Sequence, residues 1–396
     1  MKLKYHYDSR KIVPGDTYIC LPKGEAYVDD AYKNGAIDVI HMTRKEMGKF
    51  SDKLFGHPSK QLCVIGVTGT NGKTTIVHAL GQALKKLGYN PFVLGTLNSN
   101  LTTPESFDTQ QLMANHLEQG GTHFIMEVSS HGIAQHRIEG IHFSVKVLSN
   151  ITQDHLDFHG SFEAYKKTKL SFINSPIGKS IHPRDYQQIT VPDGHVFKGE
   201  FNHANLQAVK AVLVQLSVPE QEINRVILYL SPPPGRFEFI NEDQPFDVIV
   251  DYAHTPDGLE NVLIAAKSLL KTPDSQLTCV FGCGGDRDKD KRPKMGAVAQ
   301  QLADRVILTQ DNPRTESSDQ IFNDILLGLD PNKDIEIIKD RKNAIFTACK
   351  NAKPNDIVLI AGKGHETVQI IGNESFHFSD SEVAKEAIKS CRESIH

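Results

Sequence analysis

Gly66-Val-Thr-Gly69-Thr-Asn-Gly72-Lys73-Thr74-Thr75 lies between an apolar run over residues 62–67 and a helix-like pattern over 74–86. Strand, glycine-rich turn and helix in that order make a phosphate loop: the glycines let backbone N–H groups turn inward, and the helix N-terminus adds partial positive charge. In such a loop Lys73 reaches the β- and γ-phosphates and the Thr74 hydroxyl can ligate magnesium, with Gly69, Thr70, Asn71, Gly72 and Thr75 completing the cradle. A nucleoside triphosphate is the expected ligand. The strict GxxxxGK[ST] spacing fails by one position, because Val67 stands five residues before Gly72. Hydrolysis, group transfer and mechanical switching all use such a loop, so it does not name the reaction.

Outward from this loop, strand-like runs over 122–128, 246–250, 277–281, 305–309 and 357–360 alternate with helical patterns. That alternation predicts an α/β protein with mainly parallel sheets, whose ligands sit at the C-terminal ends of the strands. The 396 residues exceed one ordinary core. Boundaries before residue 62 and at Ser231-Pro-Pro-Pro-Gly235, which stops the helix before it, divide the chain into 1–61, 62–234 and 235–396. Lys and Arg total 44 against 48 Asp and Glu, so no general field for polyanions exists and nucleic acid is not an expected partner. The six cysteines form no CxxC pair, which predicts a reduced, cytoplasmic protein. Met1 to Arg10 lacks an apolar core of signal-peptide length, and no eighteen apolar residues run together, so neither export nor a membrane span is expected.

Two stretches carry the remaining chemistry: Met126-Glu127-Val-Ser-Ser-His-Gly132 and Ser149-Asn-Ile-Thr-Gln-Asp154-His155-Leu-Asp157-Phe-His159. Magnesium prefers oxygen, so Glu127 with Thr74 and substrate phosphates makes a site, and His155 is a softer partner. His155 and His159 have the spacing of a zinc helix but lack its glutamate and third ligand. For Asp157 and His159, loop hydrogen bonding and a direct role stand equally open. Ser161 is placed to cap a helix with Glu163 in its first turn, and Lys166, Lys167 and Lys169 read by themselves as a solvated basic face. In Gly282-Cys-Gly-Gly285, Arg287 stands where the third glycine of a dinucleotide fingerprint belongs.

Together these stretches resemble the Mur ligase family of ATP-dependent amide-forming enzymes, which includes folylpolyglutamate synthetases. Thr68-Gly-Thr-Asn-Gly-Lys-Thr-Thr75 is similar to that family's phosphate loop. Glu127-Val-Ser-Ser-His-Gly132 with Gln135-His-Arg137, Asp251-Tyr-Ala-His-Thr-Pro-Asp257, Phe281-Gly-Cys-Gly-Gly-Asp-Arg-Asp288 with Lys291-Arg-Pro293, Asp311-Asn-Pro-Arg314 and Gly362-Lys-Gly-His-Glu366 resemble its tripeptide-synthetase branch. The likeness runs from about residue 62 onward, with the motifs in family order.

The resemblance implies a three-domain architecture with a Rossmann-like C-terminal domain, and it implies roles. Lys73 and Thr74 would hold the triphosphate, and Glu127 and His155 would ligate metal. Lys169 matches the family lysine that carbon dioxide carbamylates into an oxygen ligand for a second magnesium, a chemistry that needs a lowered pKa. Asn202 would contact adenine, Asp251 ribose, and Arg236 the nucleotide. Ser9, Thr102, Thr103, Ser129, Gln135 and Arg137 match positions for the nucleotide-sugar substrate. Asp311, Asn312, Arg314, Gly362, Glu366 and Arg287 match the pocket for the incoming amino acid, in the form associated with meso-diaminopimelate: Arg314 would pair with its far carboxylate and Glu366 with its ammonium. The implied reaction, in a monomeric enzyme, joins meso-diaminopimelate to UDP-N-acetylmuramoyl-L-alanyl-D-glutamate through an acyl phosphate, in peptidoglycan precursor synthesis. Two regions are shorter than in the family: the uridine-binding start, compressed at Leu21-Pro-Lys-Gly-Glu-Ala-Tyr27, and the stretch between Lys169 and Phe201. The same ligase chemistry with another acceptor, and a nucleotide-binding module without ligation, are the alternatives.

Overall fold

The computed structural model describes residues 4–333 and 335–393; residues 1–3, 334 and 394–396, within the first and last expected divisions, lie outside the described residues. The first sheet is parallel, with β1 (Tyr5–His6), β2 (Thr17–Cys20) and β3 (Asp38–His41) in that order. Helix α1 (Val28–Lys33) precedes β3 and α2 (Arg44–Leu54) follows it. Thr43 and Glu46 start α2 with a capping box, each side chain accepting from the other's backbone N–H. Met47 of α2 packs with Ile19, Leu21 and Phe107.

The second sheet holds β4 (Cys63–Thr68), β5 (Pro91–Leu94), β6 (His123–Glu127), β7 (Val145–Leu148) and β8 (Lys179–Ile181) in the order β5-β6-β4-β7-β8. Helix α3 (Lys73–Lys86) follows β4, α4 (Ser106–Glu118) precedes β6, α5 (Ser130–Ala134) follows it, and α6 (Leu156–His159) and α7 (Phe162–Ile173) separate β7 from β8. Val64, Ile65, Val67, Phe124, Ile125 and Met126 are wholly buried, as parallel strands covered on both faces must be. Gly66 has a packing reason within β4: a Cβ there would stand 2.6 Å from the Phe143 ring. The order reverses at β4, which β6 and β7 flank, and ligand loops of open α/β sheets leave such reversals.

After α8 (Pro183–Tyr186), α9 (Glu200–Gln215) and α10 (Glu220–Ile227) comes the third sheet: β9 (Glu238–Ile240), β10 (Asp247–Asp251), β11 (Leu277–Phe281), β12 (Arg305–Leu308), β13 (Ile335–Ile337) and β14 (Ile357–Ala361). Its order is β13-β12-β11-β14-β10-β9, parallel except for β9 against β10. Helices α11 (Pro256–Lys267), α12 (Lys291–Leu302) and α13 (Ser318–Leu326) share one apolar layer with it. Helix α14 (Arg341–Asn351) and, beyond the hairpin of β15 (Val368–Ile371) and β16 (Glu374–His377), helix α15 (Asp380–Glu393) share the other. This doubly wound arrangement meets the α/β expectation, and the six strands read from sequence appear within a residue of their expected bounds. The helix before the proline cluster ends earlier than read, at Ile227: Tyr229 N–H donates to Val226 O and Leu230 N–H to Ile227 O, closing it in a turn. Among the described residues no helix is long and apolar enough to cross a membrane.

The chain divides into two compact units. One comprises Met1–Thr68, Gly88–Val147 and Thr168–Ser180; the other comprises Gly69–Leu87, Leu148–Lys167 and Ile181–His396.

Candidate active site

In the second unit, two glycines shape the phosphate loop. Gly72, the N-cap of α3, has φ +87°, and a Cβ on it would stand 2.3 Å from Asn205 Oδ1; a Cβ on Gly69 would stand 1.8 Å from Ser149 Oγ. The loop is pinned from outside: Thr70 N–H donates to Asn150 O and Asn71 N–H to Asn150 Oδ1, both at 2.9 Å, and Asn71 Nδ2 donates to Asp257 Oδ2 at 2.8 Å. Lys73 Nζ donates to Gly69 O and Thr70 O at 2.9 Å. Thr74 and Thr75 are buried, and Arg236 Nη2 donates to Thr74 Oγ1 at 3.1 Å while its guanidinium lies 4.3 Å above the Tyr252 ring. Among the described residues Arg236 Nε, also buried, has no hydrogen-bond partner.

Asn71, Gly72, Thr75, Arg236 and Asp251 line one cleft. Asp251, at the end of β10, accepts from Phe237 N–H and Ala253 N–H at 2.7 Å, and burial pushes its carboxyl up to about 6 against the pull of Arg236. Asn202, buried on α9, donates to Lys198 O and accepts from Asn205 Nδ2, so it braces the residue that faces Gly72.

A second cleft in this unit, of about 250 Å³, gathers the ends of β11, β12 and β14: Arg287, Asp311, Asn312, Arg314, Gly362 and Glu366 all line it, as does His155. Arg314 takes a left-handed φ of +52° and donates from Nη1 to Gly285 O at 2.9 Å. Arg287 donates to Asp286 O. Glu366 is held by three partners: Asn312 Nδ2 at 2.9 Å and Lys363 Nζ at 3.1 Å on Oε2, and the Tyr252 hydroxyl at 3.4 Å on Oε1. Lys363 is wholly buried and donates also to Asn312 Oδ1 and Val368 O. Gly362, φ +115°, leaves room for Asp311, whose Oδ2 would stand 2.7 Å from an added Cβ. Two guanidinium groups and an oriented carboxylate in one cleft suit a ligand end bearing both a carboxylate and an ammonium. His155, left-handed at φ +53°, sets Nε2 3.3 Å from Asp154 Oδ2, and His254 Nε2 lies 4.0 Å from the same oxygen. Burial, reinforced by Lys291, pushes His254 down to about 4, so it is neutral near pH 7.

The first unit holds another network. Glu127, at the end of β6 and 1% exposed, accepts from Thr96 N–H at 2.9 Å and Thr96 Oγ1 at 3.3 Å. Thr96 Oγ1 is 3.2 Å from Thr102 Oγ1. Thr103 Oγ1 joins Glu127 O to Ser129 N–H, both at 2.9 Å, and Ser129 caps α5 by accepting from Gly132 N–H. Arg137 donates to Thr103 O, and Gln135 Oε1 is buried without a hydrogen-bond partner among the described residues. Lys169 departs from the solvated face that its helix suggests: Lys166 and Lys167 are exposed, whereas Lys169 is 2% exposed. Lys146 of β7 donates to Ile173 O and Ser175 Oγ, fixing the end of that helix. Ser9 is buried beside a separate hollow of about 620 Å³ lined by Tyr7, Tyr18, Tyr27 and Lys33.

Residues 67–213 match the Mur ligase middle domain, and residues 235–364 match the Mur ligase glutamate ligase domain. The UDP-N-acetylmuramoyl-L-alanyl-D-glutamate--2,6-diaminopimelate ligase of Clostridioides difficile (strain 630) is 38% identical, over 96% of this chain and 94% of that protein. The chain belongs to the Mur ligase family, MurE type. The ligase of the same name from Haemophilus influenzae (strain PittGG) is 36% identical over 96% of this chain and 95% of that one. A solved structure of a UDP-N-acetylmuramoyl-L-alanyl-D-glutamate--2,6-diaminopimelate ligase superposes with TM-score 0.62 at 30% identity, covering 98% of this chain and 95% of that one. MurF ligase from Thermotoga maritima, solved in complex with ADP, shares the fold with TM-score 0.66 at 17% identity, covering 100% and 99%. The C. difficile alignment spans 458 positions against 396 residues here, so at least 62 positions have no counterpart in this Mur ligase.

Three residues of these networks escape the sequence reading. Lys363 sits inside a quoted motif without a role, and only its burial and its contact with Glu366 reveal one. Tyr252 lies beside Asp251 but acts on Glu366, 114 positions away. Gly95 opens space for Glu127, since its Cβ would stand 2.2 Å from Oε1.

Proposed function

We propose that the chain forms an amide bond at the expense of ATP, adding meso-diaminopimelate to UDP-N-acetylmuramoyl-L-alanyl-D-glutamate in peptidoglycan precursor synthesis. The observation that carries this reading is the cleft of Arg287, Arg314, Asn312 and Glu366, whose charges complement a carboxylate and an ammonium on one carbon. The relatives' names point the same way.

In this reading the substrate carboxylate attacks the γ-phosphate to give an acyl phosphate and ADP, and the amine of the amino acid then displaces phosphate. Lys73 and Arg236 meet charge on the phosphoryl oxygens, Asn202 and Asp251 hold adenosine, and Gly69 to Thr75 wrap the phosphates. Thr74, Glu127 and His155 are each assigned to magnesium, the first two as the oxygen donors it prefers and His155 as a softer one, and magnesium would neutralise charge on the phosphates. Lys169 is the residue we assign to carbamylation, its burial keeping water from the adduct. Ser9, Thr102, Thr103, Ser129, Gln135 and Arg137 are assigned to the nucleotide sugar, and Asp311 and Gly362 to the amino-acid pocket. The work falls to three divisions, 1–61, 62–234 and 235–396, in a cytoplasmic monomer.

The test is ADP release with magnesium, ATP and the UDP-muramoyl dipeptide, in parallel with meso-diaminopimelate, L-lysine or no amino acid. Turnover with meso-diaminopimelate alone is expected, because L-lysine offers the half-buried Arg314 guanidinium no carboxylate to pair with. A second reading, the same chemistry on a different carboxylate, is favoured by the 62 or more missing positions; silence in every well from protein that binds ATP would select it.

A further inference from the structure

The first sheet carries a cluster that the ligase reading does not use. In the parallel pairing of β2 with β3, Cys20 stands opposite His41, so both side chains leave one face of strands about 4.8 Å apart. The chain turns directly after Cys20. Gly24 N–H donates to Leu21 O at 2.7 Å, Lys23 takes a left-handed φ of +72°, and the Tyr18 hydroxyl reaches Gly24 O at 3.4 Å. That turn lies in the compressed segment and brings Glu25 back to the strand ends. Cys20 Sγ, a Glu25 carboxylate oxygen and a His41 ring nitrogen all lie within 4.8 Å of one another, and among the described residues no other trio of His, Cys, Asp or Glu converges so closely.

We propose that Cys20, Glu25 and His41 bind a borderline-soft divalent cation of the Zn²⁺ class, which pins the ends of the N-terminal strands. Sulfur, nitrogen and oxygen donors suit zinc in a tetrahedral site whose fourth position is water, whereas magnesium and calcium require shells of oxygen. Ligand atoms at zinc distances stand about 3.3–3.8 Å apart, so side-chain movements of about 1 Å close the site. Cys20 approaches from the core beside Ile12, Tyr18 and Ala31, while Glu25 and His41 are exposed, leaving an entry path from solvent. An ordinary cysteine thiol keeps its proton near pH 7. Binding then forms the metal–sulfur bond and releases that proton to solvent, and the thiolate and carboxylate together balance the double positive charge. A sheet with strands of two, four and four residues has little core of its own, and small folds commonly recruit a metal for that reason.

The full-length protein, stripped with chelator, is titrated with Co²⁺ as a spectroscopic probe and with Zn²⁺ by calorimetry. We expect one equivalent of Co²⁺ to give a thiolate charge-transfer band that Zn²⁺ displaces, and Zn²⁺ to raise the unfolding temperature. Cys20→Ser should abolish the band. His41→Ala, a change at an exposed position, should weaken Zn²⁺ at least about tenfold. Cys391→Ser, in the last helix, should leave band and affinity unchanged. A wild-type spectrum without the thiolate band, meaning an adventitious ion only, overturns the proposal, as does a band and affinity undiminished in both Cys20→Ser and His41→Ala.

Discussion

Lys363 shows what one buried cation does for a binding cleft. Its ammonium is wholly desolvated and spends its hydrogen bonds on Asn312, Glu366 and Val368 O, which fixes the Glu366 carboxylate before any ligand arrives. Lys363→Met should therefore raise the KM for meso-diaminopimelate about ten- to hundredfold while leaving ATP affinity unchanged, as measured by steady-state kinetics and calorimetry. Asp251 makes a prediction about pH. Its carboxyl is raised from 3.8 to about 6 by burial, so between those values the folded state holds a proton that the unfolded chain has released. The stability penalty of ionising it is absent below about pH 4 and complete above about pH 6, where it amounts to about 3 kcal/mol. Comparing urea unfolding of wild type and Asp251→Asn isolates this group: from pH 4 to pH 7 the difference should move by about 3 kcal/mol in favour of the variant. No movement would mean that Asp251 ionises normally. At this scale the motifs were legible wherever contiguous residues carry the chemistry, as in Gly69–Gly72 or Asn312 with Arg314. Lys363 was not, because a lysine in a glycine-rich loop reads as solvated until its burial is seen.

Among the elements, α14 and α15 are joined by a pair of ions without solvent exposure. Arg341, at the start of α14, donates from Nε and Nη2 to both oxygens of Asp380, at the start of α15, at 2.7 and 2.8 Å, and reaches Ala361 O at the end of β14. Removing one partner strands a buried charge. Asp380→Ala should thus cost about 3–5 kcal/mol, whereas the double change Arg341→Met, Asp380→Leu should recover most of it. Thermal and denaturant unfolding check this, and an Asp380→Ala protein as stable as wild type would contradict it. β14, whose Ala361 O Arg341 reaches, was readable from sequence because the apolar run 357–360 is a locally complete signal, whereas the short β13 and the exposed β16 were not read. The Arg341–Asp380 pair was not, since its members lie 39 positions apart and each looks like an ordinary helix-start charge. The same limit explains Lys169: three lysines at 166, 167 and 169 look alike in sequence, and only the packing of α7 separates the buried one from its exposed neighbours.

For the whole molecule, the alignment covers 94% of the C. difficile relative yet spans at least 62 positions without a counterpart here, and the three sheets are nonetheless present. Both family domains match across the ligand-bearing strands, and the N-terminal segment forms a sheet with a buried Ser9 and an adjoining hollow. Substrate choice should therefore follow the cleft of Arg314 and Glu366, not the shortened regions. One competition decides it. The protein is incubated with magnesium, ATP, the UDP-muramoyl dipeptide and equal meso-diaminopimelate and L-lysine, and the products are identified by mass. A single new species, the dipeptide extended by diaminopimelate, is the expected result. A lysine adduct, or no adduct from protein that binds ATP, would contradict the assignment.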